Sequence, residues 1–178
     1  MKKLIHSSIA FVLLIFMVSF NGCDELQTLP LNVPIPFEFE TSGESSSSFN
    51  TKTVCISAVD ELLENRDEIK EIKFINAAYW TDSVTTNLSG NLAFSLRTQS
   101  GTPIFSINLP NVSPGDYLNE PLVLSLSGTE IQLLETYLSN FVNNNECFVA
   151  TLNISNTNPA SHRLKGKVEL VVEATVEF

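Results

Sequence analysis

The sequence is poor in basic residues, and this scarcity limits what the protein can bind. Ten lysines and arginines stand against twenty aspartates and glutamates, which gives a formal net charge of −10 at pH 7. Such a chain lacks the basic patch with which proteins neutralise phosphates, so the composition excludes nucleic acid as a partner. Anionic lipid headgroups would also repel it, so a basic surface cannot hold it to a membrane.

A hydrophobic run long enough to cross a bilayer is also missing near the N-terminus. The apolar run there covers only residues 9–20, whereas a spanning helix needs roughly 20 residues. The run follows Lys2 and Lys3 and precedes the small residue Gly22. A charged n-region, an apolar h-region and a small residue before the cut predict a cleaved secretory signal peptide.

Cys23 directly follows Gly22, and this makes the segment resemble the signal peptide of bacterial lipoproteins. The resemblance implies cleavage of residues 1–22 and acyl chains on Cys23, which would anchor the protein to a membrane of the bacterial cell envelope. Several acyl chains anchor firmly, whereas a single one is marginal. Asn21 departs from the pattern, in which that position is usually apolar or small. The alternative is an ordinary signal peptide cut elsewhere, with Cys23 a plain thiol.

The acidic pair Asp24-Glu25 bears on which membrane would carry the anchor. It is similar to the acid-rich surface-export signals of Bacteroidetes, which implies the outer membrane, on its periplasmic face or at the cell surface. In enterobacteria, an aspartate at this position would instead indicate retention at the inner membrane. The host decides between the two.

Cysteine is scarce, since only Cys55 and Cys147 remain after Cys23. Thiols in an oxidising compartment tend to pair, so we predict a Cys55–Cys147 disulfide. The alternative is two separate buried thiols, because free cysteine is among the most buried residue types. The two cysteines have neither C-x-x-C spacing nor the partners that a zinc site needs.

Catalytic motifs are missing as well. His162 is the one histidine after the signal segment, and no G-x-S-x-G elbow accompanies it. The sequence has no Gly-rich phosphate loop, H-E-x-x-H or EF-hand spacing. Asp116 and Glu120, beside a Pro-Gly turn, are too few for a calcium site. We therefore predict a protein without enzymatic activity, cofactor or metal.

Alternating apolar and polar residues are abundant, and they predict the fold. The clearest case is the C-terminal segment, where one face is apolar and the other carries Glu169, Glu173 and Glu177. About eight such strands, two short helices and no βαβ rhythm predict an antiparallel β-sandwich, either immunoglobulin-like or jelly-roll-like. The predicted apolar face of the last strand consists of Val168, Leu170, Val172, Ala174, Val176 and Phe178.

Prolines and capping signals set the expected boundaries within the chain. Pro30, Pro34 and Pro36 predict that residues 23–34 form a lipidated tether, followed by a single domain at 35–178. A capping box at Ser57-x-x-Asp60 predicts a short first helix. The second helix has two candidate boxes, Ser127 with Glu130 and Thr129 with Gln132. Its predicted buried stripe is Ile131, Leu134, Leu138 and Phe141.

These features predict a binding or assembly module of the cell envelope, with an unknown protein, glycan or lipid partner. Loops on a rigid scaffold are the usual binding elements, here residues 42–48, 82–91 and 110–120. Asp82-Ser83-Val84 resembles the O-glycosylation motif of Bacteroidetes, which makes Ser83 a candidate acceptor. The alternative function is a carrier for a lipid or other apolar ligand. It would require the numerous phenylalanines to line a cavity rather than fill the core: Phe37, Phe39, Phe74, Phe94, Phe105 and Phe148.

Overall fold

Residues 28–177 are described by a computed structural model, and eight strands account for most of them. The predicted signal peptide and Cys23 lie outside these residues. The strands are Thr28–Gly43 (β1), Ser47–Cys55 (β2), Ile69–Val84 (β3), Ser89–Thr98 (β4), Pro103–Val112 (β5), Leu122–Leu124 (β6), Cys147–Asn158 (β7) and His162–Glu177 (β8). Two helices, Asp60–Glu64 (α1) and Gly128–Asn143 (α2), and two 3-10 turns, Ile56–Ala58 and Pro114–Tyr117, complete the described part.

The strands form two antiparallel sheets of four, with the orders β1-β8-β3-β6 and β2-β7-β4-β5. The predicted β-sandwich is therefore confirmed. Apart from the β4–β5 hairpin, each strand lies in the opposite sheet from the strand that follows it, and the first strand pairs with the last. This order is that of a jelly roll, which resolves the two alternatives for the sandwich.

The predicted alternation places the core between the two sheets. On β8, Val168, Leu170, Val172 and Ala174 are fully buried, and Val176 nearly so, while the residues between them are half-buried or exposed. One face of each sheet is thus buried in the core and the other faces solvent, as antiparallel sheets allow. Phe178 lies outside the described residues.

Phenylalanine rings fill the space between the sheets. Phe94 of β4 meets Phe37 and Phe39 of β1 edge-on, with ring centroids 6.3 and 6.0 Å apart, and contacts Phe105 at 5.6 Å. Such pairs add roughly 0.5–1.5 kcal/mol beyond their burial. Phe148 is buried as well, and Phe74 is half-buried against this core. Core packing thus accounts for five of the six phenylalanines that motivate the carrier hypothesis, and that hypothesis gains no support.

Helix α2 begins where one of the two candidate capping boxes predicted. The Ser127 N–H donates to the Glu130 carboxylate at 2.8 Å, and the Ser127 hydroxyl accepts from the Glu130 N–H at 3.4 Å. The hydrogen bond from the Ser127 hydroxyl, and to a lesser extent the one from its backbone N–H, lowers the pKa of Glu130 below its usual value. The predicted stripe packs inward at Leu134, Leu138 and Phe141, and Phe141 stacks on Phe148 of β7 at 4.8 Å.

Two predicted boundaries are wrong. Thr28–Pro34 is not a tether but the first half of β1, paired with β8 from Thr28–Glu177 onward. The prolines are tolerated because β1 is an edge strand, and their even spacing turns all three ring nitrogens to the same side of the strand. The first helix starts at Asp60 with Val59 as its cap, and Ser57 lies in the preceding 3-10 turn.

Tyr79 gives the core a titratable group. Its ring is almost fully buried on β3, and its hydroxyl accepts a hydrogen bond from Thr81 at 2.9 Å. Burial raises the pKa of Tyr79 from 10.0 to about 12, because it disfavours the phenolate. As the pH rises, the Tyr79 hydroxyl therefore loses its proton at a lower pH in the unfolded chain than in the folded protein.

We expect Tyr79 to add a pH dependence only above pH 10. Between pH 10 and 12, its contribution to the free energy of unfolding should fall by about 1.4 kcal/mol per pH unit. Urea unfolding of the wild type and Tyr79→Phe at several pH values measures this slope, and the variant should lack it. Equal slopes in both proteins would contradict the assignment.

Candidate functional site

The outer faces of the two sheets differ sharply in charge. The outer face of the β1-β8-β3-β6 sheet is charged. On this face, the Lys167 ammonium group lies 4.8 Å from the centre of the Trp80 ring. Ion pairs on this face, within the described residues, are Lys70–Glu177, Lys73–Glu71, Arg163–Glu40, Lys165–Asp82 and Lys167–Glu169. The exposed pairs among these contribute little stability, but all five give this face its ionic character.

The outer face of the β2-β7-β4-β5 sheet is almost free of charge, and we term it the polar face. On β4, the side chains of Leu92, Phe94 and Leu96 are buried, so those at alternate positions point outward. Arg97 is the one charged residue at the outward register positions of this sheet, within residues 28–177. The other outward positions are Ser47, Phe49, Thr51, Thr53, Cys55, Ser89, Asn91, Ala93, Ser95, Pro103, Ser106, Asn108, Cys147, Val149, Thr151, Asn153, Ser155 and Asn158.

One row of residues crosses all four strands of the polar face. Phe49 of β2 pairs with Asn153 of β7, Asn153 pairs with Ala93 of β4, and Ala93 pairs with Asn108 of β5. Because the Ala93 side chain is a single methyl group between two carboxamides, the surface is hollow there. The resulting depression measures about 480 Å³ and is lined by Asn91, Leu92, Ala93, Asn108, Leu109, Pro110, Asn153 and Ser155.

The amides around this depression differ in how they are satisfied. The Asn91 side-chain oxygen accepts from the Asn111 N–H at 3.0 Å, which fixes its orientation. The Asn153 side-chain oxygen is buried and finds no donor among the described residues. A polar group without a partner is uncommon in folded proteins and points to an additional role.

Phe49 stands beside Asn153 and is unusually open. Its side chain is 71% exposed, more than any other large apolar side chain that is exposed in the described residues. An exposed aromatic ring next to amides and hydroxyls offers a flat apolar surface and hydrogen-bonding groups together. The polar face can therefore engage a ligand that has both an apolar side and hydroxyl groups.

The predicted binding loops are shorter than expected, because the strands extend into them. The β1–β2 connection is only 44–46, the β3–β4 connection only 85–88, and the β5–β6 connection 113–121. The last two meet at a second depression of about 470 Å³, which Asp116 also lines. Tyr117, in the same connection, packs edge-on against Tyr79, with ring centroids 6.0 Å apart.

His162 is the first residue of β8 and is buried. Its Nδ1–H donates to the Ala160 carbonyl at 2.7 Å, so its Nε2 accepts from the Ser48 hydroxyl, also at 2.7 Å. These distances would suit a nucleophile, a base and an orienting group. However, other residues line both depressions. The contacts join β2 to the β7–β8 turn, which is a structural role.

The predicted disulfide is present between Cys55 and Cys147. The two residues are directly opposite each other at the ends of β2 and β7, with Cα atoms 4.1 Å apart. The bond fastens edge strand β2, which carries Phe49, to its neighbour. Because the two cysteines are 92 residues apart in sequence, no local pattern indicates that they lie opposite each other.

The remaining candidate residues stay predictions. Ser83 is exposed near the end of β3, so its hydroxyl is accessible for the proposed glycosylation. In residues 28–177, no three His, Cys, Asp or Glu side chains converge as metal ligands. The same residues contain no helix that is long and apolar enough to span a bilayer.

Comparisons with known proteins add no functional assignment. No protein-family model matches the sequence, and neither does any curated protein. Among solved structures, the chain is similar to one of Desmodium yellow mottle tymovirus, with 8% identity, a TM-score of 0.42, and coverage of 85% of this chain and 83% of that one. It is also similar to one of turnip yellow mosaic virus, with 10% identity, a TM-score of 0.37, and coverage of 84% and 83%. With TM-scores below 0.5, these similarities do not bear on the function of this chain.

Proposed function

We propose that the protein is a lipid-anchored, non-enzymatic binding module of the bacterial cell envelope, with the polar face as its binding surface. The observation that carries this proposal is the segregation of charge. Acidic and basic side chains cluster on the outer face of one sheet, while the opposite face is nearly neutral and hollow at Ala93. Concave surfaces with a few convergent polar groups are typical ligand sites.

The anchor at Cys23 remains part of the proposal and rests on the lipoprotein-like signal. A protein with a net charge of −10 needs such an anchor, because electrostatic attraction cannot hold it at an anionic membrane. The intact mass of the purified full-length protein tests this part. Acylation at Cys23 would remove residues 1–22 and add the mass of the acyl chains.

A charge placed on the polar face should abolish binding. Ser95 is half-buried at the centre of this face, between Thr151 and Ser106 in register. We expect Ser95→Glu to reduce co-sedimentation of the full-length protein with detergent-extracted envelope fragments of the producing cells by about tenfold or more. The reason is that the new carboxylate would lose its hydration when a ligand covers this face.

Thr175→Glu is the matched control, because Thr175 is half-buried on an inner strand of the charged sheet face. It should co-sediment like the wild type. Equal retention of both variants would contradict the placement of the site, and failure of the wild type to co-sediment would contradict the function.

A further inference from the structure

We infer that the ligand of the polar face is an uncharged carbohydrate, an inference that rests on the proposed function. Sugar rings present hydroxyl groups around their edge and an apolar surface of C–H groups on their faces. The cross-strand row supplies a complement to each. Asn153 and Asn108 offer amide donors and acceptors, and Phe49 offers a flat ring at the end of the row.

Electrostatics favour a neutral ligand over an anionic one. The chain has a net charge of −10, and the outward positions around the depression carry no lysine or arginine, Arg97 being at the other end of β4. A carboxylate or phosphate in this depression would lose hydration without gaining a counter-charge. A neutral sugar loses only hydrogen bonds to water, which the amides replace.

Hydrogen-bonding capacity favours a sugar over a purely apolar ligand. The Asn153 oxygen has no donor among the described residues, so rotation of this amide toward a hydroxyl-rich ligand breaks no existing bond at that atom. The Ala93 methyl group and the exposed ring of Pro110 supply apolar lining beside the amides. The volume of about 480 Å³ falls in the range of about 300–1,000 Å³ that small-ligand sites occupy.

Matched oligosaccharides test the inference directly. The probes are immobilised oligomers of glucose, mannose and galactose, each beside the corresponding oligomer of glucuronic, mannuronic or galacturonic acid, which differs only by a carboxylate. The full-length protein in detergent should bind at least one neutral oligomer, and bind it about tenfold or more tightly than its acidic counterpart.

Variants place the binding on the polar face. Phe49→Ala, Asn108→Ala and Asn153→Ala should each weaken binding of the neutral oligomer by about tenfold. Asn76→Ala and Val123→Ala, at exposed positions on β3 and β6 of the other sheet, should leave it unchanged. Thermal unfolding should remain unchanged in Asn153→Ala, since the Asn153 oxygen has no partner to lose.

Three results would overturn the inference: preference for the uronic acid oligomers, neutral binding that the polar-face variants leave intact, or no binding to any neutral oligomer. The envelope experiment separates this failure from that of the proposed function. If Ser95→Glu still abolishes co-sedimentation while no oligomer binds, the polar face is a binding site for another class of ligand. If Ser95→Glu has no effect either, the polar face is not the binding site, and the carbohydrate inference fails together with the placement of the site.

Discussion

Replacing both Cys55 and Cys147 by alanine should lower the free energy of unfolding by roughly 4–5 kcal/mol. The disulfide closes a loop across 92 residues of sequence, and opening it returns conformational freedom to the unfolded chain. Because a domain is stable by only about 5–15 kcal/mol in total, this loss would amount to between about a third and nearly all of the free energy of unfolding.

Urea unfolding of the oxidised wild type and the double variant measures the difference. The wild type in a reducing agent is the matched control, since it loses the same crosslink without any substitution, and it should unfold at nearly the same urea concentration as the variant. A difference between oxidised wild type and double variant below about 1 kcal/mol would show that the crosslink does little to the unfolded chain.

Gly166→Ala should lower the free energy of unfolding by about 3 kcal/mol or more, because the added methyl group would clash with neighbouring strands. A Cβ atom at Gly166 would overlap the Trp80 carbonyl oxygen and approach the Tyr79 ring and hydroxyl to 3.2 and 3.3 Å. Gly166 lies on β8, which is hydrogen-bonded to β1 on one side and to β3 on the other. Neither strand can move away without breaking its ladder, so the added methyl group has no space.

Gly128→Ala provides the comparison, because a Cβ atom there meets nothing within 4 Å and helix α2 begins at this residue. Alanine favours helix over glycine, so this variant should be as stable as the wild type or slightly more so. Thermal unfolding of both variants and the wild type measures the difference in stability. A Gly166→Ala protein as stable as Gly128→Ala would show that the sheet relaxes around the methyl group.

Local patterns predict the parts of this fold that depend on neighbours in sequence. The capping box at Ser127 and the alternation along β8 both involve residues a few positions apart, and both are confirmed. The start of β1 was mispredicted because Pro30, Pro34 and Pro36 are compatible with a strand only at a sheet edge. Edge position depends on the strand order of the whole sandwich, which no local pattern contains.

The polar face could be predicted only in part, for the same reason. Alternating Thr151, Asn153 and Ser155 already indicate that β7 has an uncharged outer side. That Phe49 and Asn108 extend the same row follows only from register across three strand pairs. The Ser48–His162 contact likewise spans 114 residues and has no signature in the sequence.

The early start of β1 also determines how the molecule would stand on its membrane. With the proposed lipid on Cys23, only residues 24–27 separate the bilayer from Thr28, and they reach at most about 18 Å when fully extended. Thr28 pairs with Glu177 at one end of the sandwich, whereas the β7–β8 turn and Asn153 lie toward the opposite end. Such a short connection would keep the Thr28 end of the sandwich within about 18 Å of the bilayer. The hollow at Ala93 would then open in the half of the molecule that is farther from the lipid.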